Sequence, residues 1–370
     1  MFLRDNFWTI LGAKIASIPF RLFSHHAFVP PKKALILKPC CISQVMLTTP
    51  LLAALSETYP QAQFDWAVSS WARPAIATNP RLSELVDTGQ VGLAGQSRAD
   101  VRELIERLRV EQYDTSFVPS RSTLLSYIAW RAGIPQRVGL NENGRGFAYT
   151  VAVQTRSDQE HEAVRYLSLA KAVGIESPAY MEFYPTDRDR SMVTALLVDE
   201  IDWLGDRPLV LVHPGGGENP VRTEESKRWP TERFALLANH LVQKMGVRLL
   251  LVGTEDDRSL ADSVAGMSSA ETPNLAGQLT LGQLGALAEM ADLYIGNDAG
   301  STHVAAAVGC PTLAIFGPSD PAVSGPFATK GRVLALRPKK VERPFSWEQG
   351  LMPDEVITGA EEFLGMKNGR

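Results

Sequence analysis

Short apolar runs alternate with longer amphipathic stretches along the chain from residue 34 onwards. The apolar runs have the length and residue types of buried strands. They lie at 34–38, 64–68, 85–87, 115–118, 137–140, 208–212, 247–253, 293–295, 312–316 and 333–336. Between them, apolar residues at helical spacing predict helices at 45–59, 71–78, 99–110, 124–132, 160–173, 191–204, 231–244, 258–267, 280–291 and 353–364. Strands that alternate with helices predict an α/β fold with doubly wound sheets.

The length of the chain predicts two domains. Its 370 residues with 45% apolar content can build two cores, because a domain usually takes about 100–200 residues. The polar stretch 185–190 leads into a helix and places the boundary between residues 186 and 207. We therefore predict a Rossmann-like N-terminal domain at 33–190, a Rossmann-like C-terminal domain at 206–345 and a C-terminal helix at 346–370.

Residues 1–32 precede this pattern as an amphipathic extension. Apolar residues recur at helical spacing over 2–23, and Arg4, Asp5, Lys14 and Arg21 interrupt them. The charges of Asp5 and Lys14 break any signal-peptide core, and no apolar run reaches the roughly 18 residues of a membrane span. Two interpretations remain open for 1–23: peripheral membrane contact through an interfacial helix, or a helix docked on the first domain.

Charge and cysteine content narrow the partners and the compartment. A net charge of −4 gives no basic field, so we expect no nucleic acid partner. Cys40, Cys41 and Cys310 are too few for a disulfide framework or a zinc site, and adjacent cysteines rarely pair with each other. A reducing cytoplasm is the expected location.

The stretch 293–327 carries the strongest chemical signal. An apolar run ends in a glycine-containing turn, and Ser301 and Thr302 then open an alanine-rich helix. The helix start offers free N–H groups and a partial positive charge, which suit a phosphate or pyrophosphate. Asp298 and His303 flank the turn, at the carboxyl end of a strand where open α/β sheets bind ligands. Taken singly, Asp298 could cap the turn and His303 could be a core histidine; together they favour a ligand site.

A second glycine loop opens the C-terminal domain. Gly215, Gly216 and Gly217 follow an apolar strand, and Lys227 and Arg228 precede the next helix. Backbone amides and a cation at these places suit a phosphate, although a solvated basic loop accounts for Arg228 equally well. Glu255 follows the next strand, where an acidic residue typically holds ribose hydroxyls.

These motifs together resemble glycosyltransferase family nine, the heptosyltransferase-like enzymes of bacterial cell-surface glycan synthesis. The resemblance runs from about residue 34 to the end of the chain. Its motifs are Val45-Met46-Leu47-Thr48-Thr49-Pro50, Pro214-Gly215-Gly216, Lys227-Arg228-Trp229-Pro230, Gly253-Thr254-Glu255, Asp298-Ala299-Gly300-Ser301-Thr302-His303 and Phe316-Gly317-Pro318-Ser319-Asp320-Pro321.

The resemblance implies a GT-B fold, with two facing Rossmann-like domains that take the acceptor in the first and a nucleotide-sugar in the second. It also implies an inverting transfer that uses no metal and no cofactor. Lys227 and the amides of Gly300 and Ser301 would hold the diphosphate, Glu255 the ribose, Leu279 the base, and Asp298 and His303 the sugar and phosphates. The expected nucleotide-sugar-binding residues are Gly215, Gly216, Thr223, Lys227, Glu255, Leu279, Asp298, Ala299, Gly300, Ser301 and His303.

In the first domain the resemblance implies an acceptor site at Ser43, Thr48, Arg121 and Asn141. The polar loop 141–146 has a second interpretation as a mobile surface loop. The expected catalytic residues are Gln44, Lys227 and Asp298. The acceptor would be a lipid-linked or cell-surface glycan, such as a lipopolysaccharide core. The enzyme would bind it at the inner face of the membrane.

Gln44 departs from the family pattern, which has an aspartate there as its proposed general base. Glutamine cannot accept a proton at neutral pH, and losing a general base typically costs about 10²- to 10⁴-fold in rate. Another residue could take the proton, Gln44 could orient the acceptor, or the chain could be inactive. Two further functions therefore stay open: a nucleotide-sugar binding or scaffolding protein without catalysis, and a nucleotide-sugar epimerase.

Overall fold

The computed structural model describes residues 12, 28–155, 159–176, 178–348 and 350–365. They divide into two units: the described residues up to Tyr180 with Pro220–Arg222, and Met181–Asn219 with the described residues from Thr223 onwards. Residues 181–190, which we had placed at the end of the first domain, therefore group with the second unit. Apart from Gly12, the amphipathic segment 1–23 lies outside the described residues.

The first unit contains a six-stranded sheet in which all neighbouring strands are parallel, in the order β3-β2-β1-β4-β5-β6. Its strands are β1 (Lys33–Leu37), β2 (Gln63–Val68), β3 (Glu84–Asp87), β4 (Thr115–Val118), β5 (Gln136–Leu140) and β6 (Val151–Val153). Its helices are α1 (Ile42–Met46), α2 (Thr49–Thr58), α3 (Arg98–Val110), α4 (Thr123–Arg131) and α5 (Glu162–Lys171).

Two helix predictions in this unit are corrected. The helix expected at 45–59 is split into α1 and α2, and Pro50 occupies the first turn of α2. The helix expected at 71–78 is a 3₁₀ turn at Arg73–Ala75. Pro74 accounts for the second difference, because proline lacks an N–H group and its ring clashes with the preceding turn of a helix.

The second unit contains a five-stranded parallel sheet in the order β10-β7-β11-β12-β13. Its strands are β7 (Leu209–His213), β10 (Arg248–Leu251), β11 (Leu293–Asn297), β12 (Thr312–Ile315) and β13 (Val333–Leu336). Between β7 and β10, the chain forms a separate short hairpin of β8 (Glu218–Asn219) and β9 (Arg222–Thr223), in which Arg222 groups with the first unit. Its helices are α6 (Asp187–Ala195), α7 (Thr231–Met245), α8 (Arg258–Met267), α9 (Leu281–Met290), α10 (Gly300–Ala307), α11 (Pro321–Ser324) and α12 (Pro353–Gly365).

The helix expected at 191–204 begins earlier and ends earlier. Thr186 and Asp189 form a reciprocal capping box that starts α6, since each side chain accepts from the backbone N–H group of the other. A single π-type turn at Leu196–Glu200 follows α6.

Both faces of the second sheet are buried, as the continuous apolar strands predict. Val210 and Val212 of β7 face a core that includes α7, α8 and α12. Leu209 and Leu211, the alternate residues of the same strand, face a core that includes α6, α9 and α10. The first unit has a core of its own. No helix in the described part of the chain is long and apolar enough to cross a membrane.

Each sheet has one place where strand order reverses direction along the chain. It lies between β1 and β4 in the first sheet and between β7 and β11 in the second. Ligands of open parallel sheets bind outside the carboxyl ends of such a pair of strands. The loops that leave these four strands therefore define where a site can be built.

Cys40 and Cys41 lie in the loop after β1 and are joined to each other by a disulfide bond. Our expectation that these adjacent cysteines would not pair is wrong. The peptide bond between them is cis.

Candidate functional site

The glycine loop after β7 lies against the start of α10. Gly216 and Gly217 have positive φ angles of 93° and 78°, which L-residues with a side chain rarely adopt. A Cβ atom added to Gly216 would lie 2.7 Å from the Cβ atom of Ala299, and one added to Gly215 would clash with the carboxylate of Asp257. The loop therefore requires glycine for close packing as well as for its backbone angles.

Asn297, the last residue of β11, fixes this loop. Its Nδ2 atom donates to the carbonyl oxygens of Pro214 and Gly215, each at 2.9 Å. Its Oδ1 atom accepts from the backbone N–H group of Trp229 at 3.0 Å. Because Asn297 is fully buried, one amide side chain ties together the glycine loop, β11 and the segment that carries Lys227.

Lys227 and Asp298 form an ion pair beside the same loop. The Nζ atom of Lys227 lies 2.7 Å from Oδ2 of Asp298 and 3.4 Å from a carboxylate oxygen of Glu224. Ser319 donates to Asp298 at 2.6 Å. Burial by itself lowers the pKa of Lys227, but the two carboxylates outweigh it and raise that pKa above its ordinary value. Lys227 therefore stays positively charged.

The start of α10 exposes part of three consecutive residues, Ala299, Gly300 and Ser301. The following residues, Thr302 and His303, are buried. The hydroxyl of Thr302 donates to the carbonyl oxygen of Asn297 at 2.6 Å. The structure thus brings eight predicted residues into one place. Lys227 pairs with Asp298, and His303 lies in the first turn of α10. The other six are Gly215, Gly216, Asp298, Ala299, Gly300 and Ser301, of which Asp298 is the partner of Lys227.

Three other predicted donor residues lie further out. The carboxylate of Glu255 pairs with Arg258 at 2.7 Å on the protein surface, and this pairing holds the pKa of Glu255 below its ordinary value. Thr223 is exposed in β9. Leu279 packs at the edge of the core under α9. Their roles in ribose and base binding stay predictions.

In the first unit, the predicted acceptor residues follow three strands, β1, β4 and β5, at the carboxyl edge of the sheet. Ser43 and Gln44 lie in α1, partly exposed, and the hydroxyl of Thr48 donates to the carbonyl oxygen of Gln44 at 2.8 Å. After β4, Arg121 pairs with Glu142 at 3.0 Å. Asn141, the neighbour of Glu142, accepts from the N–H group of Gly146 at 3.0 Å.

Sequence reasoning missed a buried lysine at this edge. Lys38 follows β1, and its Nζ atom donates to the carbonyl oxygen of Pro119 at 3.0 Å and to the hydroxyl of Tyr166 at 3.1 Å. Tyr166 in turn donates to Glu162 at 3.1 Å. Burial lowers the pKa of Lys38 to about 8. Since Pro119 follows β4, Lys38 bridges the two strands between which the strand order reverses.

No three metal-ligating side chains come together among the residues that the structure describes. The carboxyl edge of each sheet carries hydrogen-bond donors and cations. In the second unit these are the glycine amides, the start of α10 and Lys227, and in the first unit they are Lys38 and Arg121.

The family model of glycosyltransferase family 9 (heptosyltransferase) matches residues 101–345, which include the Lys227–Asp298 pair, the glycine loop and the start of α10. The chain belongs to glycosyltransferase family 9.

Relatives and solved structures agree with this membership. Lipopolysaccharide heptosyltransferase 2 of Escherichia coli strain K12 is 28% identical over 313 residues, which span 82% of this chain and 88% of that protein. The glycosyltransferase family 9 structure from Veillonella parvula DSM 2008 has a TM-score of 0.77 at 21% identity and covers 90% of this chain and 97% of its own. E. coli ADP-heptose LPS heptosyltransferase II has a TM-score of 0.73 at 23% identity, covering 91% and 100%.

Membership of family 9 confirms three expectations: the family itself, the GT-B class of fold with two Rossmann-like domains, and a nucleotide-sugar glycosyltransferase as the kind of enzyme. The binding-protein and epimerase interpretations are not favoured. A family 9 chain that carries Gln44 still needs an account of how the acceptor loses its proton.

Proposed function

We propose that the chain transfers a heptose-like sugar from an adenosine-diphosphate donor to a lipopolysaccharide-core or other lipid-linked glycan, with inversion at the anomeric carbon and without a metal ion. The relative named lipopolysaccharide heptosyltransferase 2 and the fold shared with an ADP-heptose enzyme support this substrate class. The observation that carries the proposal is the 2.7 Å pair of Lys227 and Asp298 beside the glycine loop and the start of α10.

The chemistry of the donor side is charge stabilisation. When the bond to the sugar breaks, negative charge develops on the leaving diphosphate. Fixed cations and N–H groups stabilise such charge because they need no reorganisation during the reaction. Lys227, the amides of the glycine loop and the start of α10 would supply them, and Asp298 holds the ammonium group of Lys227 in place.

The chemistry of the acceptor side is proton removal from a hydroxyl group. We propose that Gln44 orients the acceptor and that a glutamate at the same sheet edge takes the proton. Glu142 and Glu162 are two carboxylates that contact this edge, through Arg121 and Tyr166. Two other carboxylates have partners away from this edge. Asp65 on β2 pairs with Lys33 and Tyr113, and Glu218 pairs with Arg228.

The donor proposal is tested by isothermal titration calorimetry with ADP, GDP, UDP, CDP and dTDP in the presence of EDTA. ADP should bind most tightly. Lys227→Met should weaken ADP binding at least about tenfold, because one charge-assisted contact contributes about 1.5–3 kcal/mol. Lys244→Met, which removes an exposed lysine from the last turn of α7, is the matched control and should bind like the unmodified chain.

Three results would contradict this proposal. One is a preference for a diphosphate with another base, and a second is no binding of any diphosphate. The third is sugar transfer that appears when a divalent metal is added and disappears in EDTA.

We also propose that the enzyme works at the cytoplasmic face of the membrane and touches it through residues 1–23. An interfacial helix with apolar and basic residues binds anionic lipid. Deleting residues 1–23 should move the protein from vesicle pellets into the supernatant and leave its thermal midpoint unchanged. A lower midpoint without loss of vesicle binding would instead identify the segment as a helix docked on the first unit.

A further inference from the structure

Four side chains form a continuous hydrogen-bonded row beneath the start of α10. The Nε2 atom of His213 lies 3.1 Å from Oδ2 of Asp257. Its other ring nitrogen, Nδ1, lies 2.9 Å from the hydroxyl oxygen of Ser301, which accepts from the hydroxyl of Tyr294 at 2.9 Å. His213, Asp257 and Tyr294 are buried, and Ser301 at the end of the row is partly exposed.

The proton positions in this row follow from Asp257. Its carboxylate accepts from the N–H group of Gly216 and from both the N–H group and the hydroxyl of Thr254, at 2.8–2.9 Å. Burial opposes ionisation, but the hydrogen bond from His213 and these backbone bonds outweigh it and hold the pKa of Asp257 well below its ordinary value. An ionised Asp257 only accepts, so the Nε2 atom of His213 carries a proton and donates it.

In a neutral His213 the Nδ1 atom is then an acceptor, and Ser301 donates its hydroxyl proton to it. Tyr294 remains a donor to Ser301, because burial raises the pKa of its phenol far above neutrality. A serine hydroxyl has one proton and two lone pairs. With that proton committed to His213, Ser301 presents a lone pair, rather than a proton, to any anion at the start of α10.

A second proton on His213 reverses this. The Nδ1–H group then donates to Ser301, which accepts from His213 and Tyr294 with its two lone pairs. The hydroxyl proton of Ser301 is released from His213 and can point outward. All donors and acceptors of the row remain satisfied in both states, and Ser301 changes from an acceptor to a donor.

We propose that binding of the donor's diphosphate is coupled to uptake of one proton by His213, which makes Ser301 a hydrogen-bond donor to a phosphate oxygen. The proton comes from solvent on binding and returns to it when the diphosphate leaves; no covalent bond of the protein changes. Ser301 contacts the ligand, and His213 and Asp257 are positioning residues. The inference rests on the proposed nucleotide-diphosphate site.

The charged and titratable groups around His213 lie on several neighbouring elements. Asp257 faces its ring from the 3₁₀ turn at Glu255–Asp257, and Tyr294 on β11 reaches it through Ser301. Gly216 and Gly253 are neighbours of the ring, since a Cβ atom added to them would lie 3.5 Å and 3.2 Å from it. Beyond the glycine loop, Lys227 and Asp298 offset each other as an ion pair. Cys310 lies behind Tyr294, and burial raises the pKa of its thiol to about 12, so it stays neutral.

The experiment uses ADP-ribose as the probe, because both of its phosphates are esterified and do not titrate near neutral pH. Calorimetric titrations at one pH in PIPES and in Tris report proton uptake as a binding enthalpy that depends on the ionisation enthalpy of the buffer. We expect net proton uptake on binding, of at most one proton. The dissociation constant should then rise with pH, by at most about tenfold per pH unit for one proton.

Ser301→Ala and His213→Gln should bind ADP-ribose more weakly, with no buffer-dependent enthalpy and a flat pH profile. His240→Gln is the control, since His240 pairs with Glu361 on the surface of the same unit and its loss should leave proton uptake unchanged. A purely structural role of the row would lower affinity equally at every pH. If His213→Gln does not fold, Ser301→Ala and the unmodified chain still decide the question.

The possible failures are distinguishable. ADP-ribose binding without proton uptake by the unmodified chain would overturn the coupling and leave the proposed function standing. Full proton uptake in Ser301→Ala would also overturn it and would point to His303 in the same helix. No binding of ADP or ADP-ribose at any pH would remove the diphosphate site, and the proposed function with it.

Discussion

Lys38 shows how a single buried charge links stability to pH. Burial of its ammonium group, reinforced by Arg121 and Arg165 and opposed by Glu162, lowers its pKa from 10.5 to about 8. Between these two values the unfolded chain binds more protons than the folded chain, so the contribution of Lys38 to stability rises as pH increases. Below pH 8 the buried charge costs roughly 3 kcal/mol, at about 1.4 kcal/mol per pKa unit.

We therefore predict that Lys38→Met changes how stability depends on pH. The measured quantity is the free energy of unfolding of the unmodified chain minus that of Lys38→Met. This difference should rise by roughly 3 kcal/mol from pH 7.5 to 10.5. Urea denaturation at several pH values measures it. Lys32→Met removes an exposed lysine and should show no such trend. A constant difference between Lys38→Met and the unmodified chain would contradict the prediction.

Gln44 raises the question of the general base, which substitutions of the two edge glutamates can answer. If Glu162 or Glu142 takes the acceptor proton, its change to Gln should lower kcat by about 10²- to 10⁴-fold, whereas the other substitution should act mainly on KM. Steady-state transfer assays measure both constants. Unaltered kcat in both variants, together with faster transfer by Gln44→Asp, would mean that the chain is an impaired enzyme.

At the scale of elements, ten of the thirteen strands in the described residues could be predicted, because each is a short apolar run with turn residues on both sides. The prediction of a helix at 71–78 was wrong, since Pro74 stops a pattern that is otherwise typical of a helix. Strands β6, β8 and β9 were missed because two or three residues are too few for a periodic signal. The glycine loop, Lys227 and Asp298 were found because each motif is local in sequence.

The hydrogen-bonded partners inside the site are not local. Lys38 and Tyr166 are 128 residues apart in the sequence, and His213 lies 44 residues from Asp257 and 88 from Ser301. Such pairs meet because parallel strands bring their carboxyl ends to one edge. No periodicity records which side chains will face each other there, so Asn297, His213, Asp257 and Lys38 went unassigned.

Asn297 is the residue through which β11, the glycine loop and the Lys227 segment depend on one another. Asn297→Ala would remove the buried hydrogen-bond partner of the carbonyl oxygens of Pro214 and Gly215 and of the N–H group of Trp229. We expect the free energy of unfolding to fall by about 2–4 kcal/mol and ADP affinity to fall at least about tenfold. Chemical denaturation and calorimetry measure the two effects.

Asn239→Ala provides the comparison for Asn297→Ala. Asn239 accepts from Ser268, Ser269 and Ala270 at the end of α8, so its loss should also destabilise the protein. ADP affinity should not change. Equal losses of ADP affinity in both variants would show that Asn297 acts through general stability and not through the loop.

At the scale of the whole molecule, each unit has a parallel sheet and apolar cores of its own. We predict that a fragment of residues 181–370 folds alone and binds ADP within about tenfold of the full chain, because the proposed diphosphate contacts all lie in it. Circular dichroism, a cooperative thermal transition and calorimetry test this. A fragment without a cooperative transition would show that the second unit depends on the first.

The two sheets place their strands in different orders, one of six strands and one of five, and each ends in loops supported by its own core. Loop 141–146 belongs to the first unit, and the glycine loop and α10 belong to the second. In evolutionary terms, if the first unit takes the acceptor and the second the donor, as we propose, descendants of this chain can acquire new acceptors by drift and selection in one half while inheriting the donor chemistry of the other.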